Sequence, residues 1–194
     1  MLGWLAHAFA STRPARDTAG CSISRCSVPM TGPELASRLP MLGSVLYLPA
    51  RSPAPLDPPL PPGWLVARRE LAGLLHTHEL VVASMIGADG PREWIDCLDA
   101  SGHFCARLHL LPDTDYLAWD ALLAQGRALP AAPVQSGRLA CRAARAELLC
   151  FATRRLGGLD LLEATPLGHL SAVGCGIARE AARAAAVELE PFPG

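Results

Sequence analysis

Two β-rich runs flank a tight turn at residues 93–111, EWIDCLDASGHFCARLHLL, and this strand–turn–strand restricts the chain to folds with an antiparallel sheet. A four-residue loop, Asp99-Ala100-Ser101-Gly102, pairs Leu98 with His103, Cys97 with Phe104 and Asp96 with Cys105. Side-chain alternation then sorts the faces. Ile95 and Cys97 join Phe104, Ala106, Leu108 and Leu110 on a core face. Trp94, Asp96 and Leu98 share the other face with His103, Cys105, Arg107 and His109, a mixed surface holding two imidazoles, a guanidinium and a carboxylate.

Further elements follow from the same patterns. HELVVASMIG (78–87) reads as a strand that ends at the turn ADGP, and MLGSVLYL (41–48) as a buried strand. Pro33–Leu39 reads as a short helix. Six prolines in residues 50–63 forbid a helix or a central strand there, so that segment is an extended loop. WLVARRELAGLL (64–75) is a strand passing into a turn. Pro112-Asp113-Thr114-Asp115 caps a helix that Gly126 ends. After a Pro-rich connector (130–136), the pattern predicts a helix over 138–155 and another over 176–189. The expected architecture is α+β: an antiparallel β-sheet over residues 41–111 with helices packed on one side, and a helical C-terminal part over 113–190. Residues 30–194 then form a single domain, and residues 1–29 a disordered leader or a misassigned start, since Met30-Thr31-Gly32-Pro33 resembles a natural beginning.

Composition removes several function classes. A net charge of −1 lacks the concentrated cation excess that nucleic acid requires, and every fixed side-chain cation is an arginine. No apolar run approaches the ~20 residues of a membrane span. The seven cysteines form no C-x-x-C pair and read as reduced core thiols of a cytoplasmic protein. The chain carries no H-E-x-x-H, no G-x-S-x-G elbow, no P-loop and no G-x-G-x-x-G, and a split-barrel flavin protein would lack its phosphate-binding signature. A zinc site from His76, His78 and His109 would lack compact ligand spacing.

The block from His76 to Gln125 resembles one copy of the repeat of the HemS/ChuX haem-utilisation family. Trp94-Ile95-Asp96-Cys97-Leu98-Asp99 stands where the family has a strand ending in Asp, and Gly102 matches its turn glycine. Ala106-Arg107-Leu108-His109-Leu110 matches its basic strand, with Arg107 in place of the usual lysine. Thr114-Asp115 with Tyr116-Leu117-Ala118-Trp119 matches the helix entry, and His76-Thr77-His78 replaces a W-x-H element. Hallmarks of the family before this block are absent, and residues 127–194 match nothing in it.

The resemblance implies a cytoplasmic haem-binding protein of iron acquisition, whose partners are haem and a haem-uptake or haem-degrading protein. By the same analogy two half-repeats pair into a homodimer, and some relatives degrade haem; nothing in the sequence requires turnover. Haem needs an axial ligand and cations for its propionates. His78 is the expected iron ligand, on the same side of an extended segment as His76, with His76 and His109 as alternatives. Arg107 shares a face with His109 and is expected at a propionate, although a cross-strand pair with Asp96 explains it equally well. His103 is expected exposed beside the turn, and His169 lies in a flexible loop as a lesser ligand candidate; Arg68 and Arg69 could add an anion-binding rim or be a charged strand end. The alternative is a protein–protein interaction module with no cofactor, in which the histidines are incidental.

Overall fold

The computed structural model describes residues 22–51, 59–87, 90–133 and 143–191. A strand, β1 (Ser22–Pro29), leads into the short helix α1 (Gly32–Arg38). Thr31 starts α1 with a capping box: its backbone N–H donates to Glu34 Oε2 (2.9 Å), while its hydroxyl accepts from Glu34 N–H (3.4 Å). A 3₁₀ turn, Leu39–Leu42, leads to β2 (Ser44–Pro49). Next come β3 (Trp64–Val66), a second 3₁₀ turn (Arg69–Leu71), α2 (Ala72–Leu75), β4 (Glu79–Gly87), β5 (Gly90–Leu98) and β6 (Phe104–His109). The chain continues through α3 (Tyr116–Leu123), β7 (Arg127–Pro133), β8 (Glu147–Leu156), β9 (Leu159–Pro166) and α4 (Ala172–Ala184).

All nine described strands belong to one sheet, ordered β3-β9-β8-β2-β6-β5-β4-β1-β7, antiparallel except for β3 against β9. The α+β class with a large antiparallel sheet is as the sequence predicts. β2 lies near the centre and is buried on both faces: Val45 and Tyr47 enter one core, Leu46 and Leu48 another. The main core joins Ile95, Cys97, Ala106 and Leu108 of the sheet to Leu35 of α1, Leu74 and Leu75 of α2, and Trp119, Leu122 and Leu123 of α3. Each of these leucines contributes about 1.5–3 kcal/mol by burial.

Five expectations change. Residues 22–29, assigned to the leader, form β1, hydrogen-bonded between β4 and β7, so the sheet begins before Met30. The helix expected over 138–155 is a strand from Glu147 onward. Leu148 and Leu149 enter opposite cores, and pairing with β2 and β9 outweighs the helix propensity of an Ala- and Leu-rich run; its beginning, 138–142, lies outside the described residues. The "helical" C-terminal part therefore includes β7, β8 and β9. The last helix starts at Ala172 rather than 176, because the Ser171 hydroxyl accepts from Gly174 N–H (3.0 Å) and Asp113 in turn accepts from Ser171 N–H (2.9 Å) and Oγ–H (2.7 Å). Finally, helices cover both faces: α4 packs Ala178 and Ala182 against Leu46, Leu48 and Leu148, opposite α1–α3. Among the described residues no helix is long and apolar enough to cross a membrane.

Gly32 marks the closest approach between helices, since a Cβ there would lie 1.9 Å from the Leu75 carbonyl oxygen. Gly32→Ala should therefore destabilise the protein by about 1–3 kcal/mol in urea unfolding. Gly176, inside α4 with open space around its Cα, should give the opposite result, Gly176→Ala stabilising by about 0.5–1 kcal/mol. Equal stability of the Gly32→Ala and wild-type proteins would contradict this packing.

Candidate functional site

The β5–β6 hairpin positions the residues that sequence analysis singled out. Its turn is held by Asp99, whose carboxylate accepts from Ser101 N–H (2.8 Å) and His103 N–H (2.9 Å), with Gly102 at φ 77°. The register differs from the simple four-residue loop. Leu98 lies opposite Phe104 and Cys97 opposite Ala106, so Cys105 is the extra residue of a β-bulge. Beyond the bulge Asp96 faces Arg107 and Trp94 faces His109, rather than Asp96 facing Cys105. The predicted faces survive for these four residues, while Cys105 turns to pack against the main core.

The outer face thus carries a linked chain of side chains. Arg107 Nε donates to Asp96 Oδ1 (2.6 Å) and Nη2 to Oδ2 (3.0 Å), a fork-to-fork pair whose side chains are only 12% and 3% exposed. The Arg107 guanidinium lies 5.3 Å from the Trp94 ring centroid, and the Trp94 and His109 rings are 6.0 Å apart at 36°. His109 lies opposite Leu46 on β2 and Trp94 opposite Ala83 on β4, with Ile23 and Met85 packed near Trp94. At the edge, Arg92 Nη2 donates to Glu180 Oε2 of α4 (3.1 Å).

Two atoms of this cluster have unmet hydrogen-bonding capacity. His109 Nε2 and Trp94 Nε1 are both sealed from solvent and have no hydrogen-bond partner. Such orphaned buried nitrogens are rare in folded proteins and each calls for a physical account. Burial, reinforced by the Arg107 charge, pushes the His109 pKa from 6.5 down to about 3, so the ring is neutral at physiological pH. A neutral imidazole carries one nitrogen lone pair, the form in which histidine binds a metal. The cluster is closed as it stands, and a ligand would have to displace the groups that cover it.

The other expected residues lie elsewhere. His76 is not extended but forms the C-cap of α2 (φ −89°, ψ 0°), half-buried with Nε2 3.3 Å from the Pro59 carbonyl oxygen. His78 is exposed at the entry to β4, where its backbone N–H donates to Leu98 O (2.7 Å). The helical turn breaks the shared direction expected of the pair. Both belong to the α2 side and the Leu98 end of the sheet, whereas Arg107 and His109 occupy the opposite face, so the structure does not bring the two sets together. His103 is exposed beside Asp99, and His169 is exposed before α4; His7 lies outside the described residues. Among the described residues no group of three or more His, Cys, Asp or Glu side chains could hold a metal ion, so the His76, His78 and His109 zinc set is not assembled.

Sequence reasoning missed two buried acids. Glu93 is buried beneath α3, accepting from Trp119 Nε1 (2.5 Å), and burial raises its pKa. Glu147 is buried between Arg68 and Arg145. The first could have been inferred from alternation, since Glu93 shares the parity of Ile95 and Cys97. The described cysteines are free thiols, and burial raises Cys26 and Cys105 to about 11, which suits core packing rather than reactivity. No family model matches the chain, and no curated protein or solved structure matches it either.

A buried neutral histidine makes stability depend on pH. Its folded pKa lies below its unfolded value, so the unfolded chain binds the extra proton and stability falls as pH drops below about 6.5. Denaturant titrations at pH 6.5 and 5 should differ by roughly 2 kcal/mol, at about 1.4 kcal/mol per pH unit, and His109→Gln should remove most of that difference. An unchanged pH dependence in His109→Gln would contradict a buried neutral His109.

Proposed function

We propose that the protein binds haem and carries it or hands it on within the cytoplasm during iron acquisition, with His109 as the axial ligand. The observation that carries this reading is the buried, neutral and unpartnered Nε2 of His109 beside the Trp94 ring. Haem iron takes a neutral imidazole nitrogen, and an aromatic neighbour suits a flat apolar macrocycle. The HemS/ChuX resemblance rests on the same hairpin and adds its weight. Geometry shifts the preference among His78, His76 and His109 toward His109, because His78 is exposed and His76 faces a backbone carbonyl. Arg107 is committed to Asp96 by hydrogen bonds of 2.6 and 3.0 Å, so a propionate would compete with a buried carboxylate for it. Arg107 also lies over Trp94 and adds to burial in keeping His109 uncharged. Nothing in the cluster requires haem degradation.

The interaction-module reading draws on a different observation. Met41, Ile86, Tyr116, Leu117, Leu156, Leu159 and Val173 are large, apolar and exposed. The Gly43–Thr114 bridge and the Asp113–Ser171 hydrogen bonds gather Met41, Tyr116, Leu117 and Val173 at the Ser44 end of β2. The strand registers put the β4–β5 turn with Ile86, and the β8–β9 turn with Leu156 and Leu159, at that same end. An apolar end of this kind suits a protein partner.

Haem titration of the purified chain separates the two. A saturable Soret band at micromolar haem is expected, lost or shifted in His109→Ala and retained in the His76→Ala/His78→Ala protein. A band lost only in the double variant would move the ligand to the α2 side. No saturable band would reject haem binding and favour the interaction module.

A further inference from the structure

The charges at the start of β8 are shared unevenly. Glu147, opposite Tyr47 on β2, accepts from Arg68 Nη1 (2.7 Å) and Arg145 Nε (2.8 Å). Arg145 also lies 3.0 Å from Glu190 and 3.3 Å from Glu70, so it serves three carboxylates. Arg68 serves one, through Nη1. Its Nε and Nη2 are sealed from solvent and have no partner.

Those two nitrogens form the side edge of the guanidinium, which presents parallel N–H groups in one plane. That edge matches the two oxygens of a carboxylate or phosphate group. An arginine cannot relieve its position by losing a proton, as a buried lysine can. The unmet donors therefore call for acceptors, and the paired oxygens of an oxyanion match both at once. We propose that Arg68 is a bidentate oxyanion-binding site, taking a carboxylate or phosphate group on its Nε–Nη2 edge while Nη1 remains on Glu147.

The surroundings permit this. The Arg68 side chain as a whole is 30% exposed, so the sealed edge lies just below the surface and opens by displacement of whatever covers it. Three carboxylates would repel an anion: Glu147, 2% exposed, is neutralised by both Arg68 and Arg145, while Glu70 and Glu190, 38% and 46% exposed, are screened by water and lie against Arg145. Backbone placement is firm: Ala67 N–H donates to Leu162 O (2.9 Å), and Arg68 O accepts from Leu71 N–H (3.0 Å). Tyr47 and Glu147 belong to the α1–α3 face, so this site lies across the sheet from Trp94 and His109 and is independent of haem binding.

The test uses the full chain with ¹⁵N-labelled arginine, titrated with inorganic phosphate and separately with acetate, ionic strength being held constant with sodium chloride. A saturable shift of the Arg68 Nε–H resonance is expected with one of the two, and the tighter one names the source as a phosphate or a carboxylate group. Arg68→Lys keeps a cation for Glu147 but lacks the fork. Measured against its own melting temperature without ligand, the rise produced by the binding anion should vanish, corresponding to at least tenfold weaker affinity. Non-saturating shifts with both anions, or an equal rise in Arg68→Lys, would overturn the proposal.

Discussion

The buried ion pair between Asp96 and Arg107 is the interaction on which the outer face depends. A strand can slip against its neighbour by one residue only by turning every side chain to the other face. Asp96 and Arg107 prevent that slip, because neither charge can be left alone in a site where both are nearly inaccessible. A buried pair of this kind adds little net stability over an apolar one, yet removing one partner costs about 3–5 kcal/mol. Its contribution is to specify register. With Asp96 opposite Arg107, Trp94 must lie opposite His109, while the separate register of β2 on β6 puts Leu46 on the other side of His109.

The chemistry of the cluster follows from that register. Arg107 is immobilised by Asp96, stacks on Trp94, and places a permanent positive charge near His109. Burial and that charge act in the same direction on the imidazole, keeping it neutral far below the pH at which free histidine protonates. Arg107 thus makes the cross-strand pair with Asp96 that the sequence offered beside a propionate contact. The bulge at Cys105 belongs to the same arrangement: it absorbs one residue between the turn and the ion pair, so the Asp99 turn and the Asp96–Arg107 register are both satisfied.

Much of this was legible in the residues. The Asp99–Gly102 turn, the alternation of Ile95 and Cys97 against Trp94 and Asp96, and the Asp115 cap of α3 each have a local cause, and local causes can be read from sequence. The bulge was not legible, because an extra residue in one strand leaves its mark only in pairing. β8 was misread because its apolar residues are consecutive rather than alternating, a pattern common to a doubly buried strand and a buried helix. The His76/His78 pair was misplaced because α2 is a single turn of four residues, too short to leave a periodic signature. The orphaned nitrogens of Trp94, His109 and Arg68 are products of tertiary packing and have no counterpart in sequence pattern.

The central claim is that His109 presents an uncharged ring nitrogen inside the fold. Imidazole ¹⁵N spectra of the labelled chain at pH 5 test this most directly. Of the six histidines, the ring of His109 should be a neutral tautomer at that pH, and its Nε2 signal should be the one lost or displaced when haem is added. A His109 ring that is fully protonated at pH 5, or that haem leaves untouched while another imidazole responds, would contradict the account.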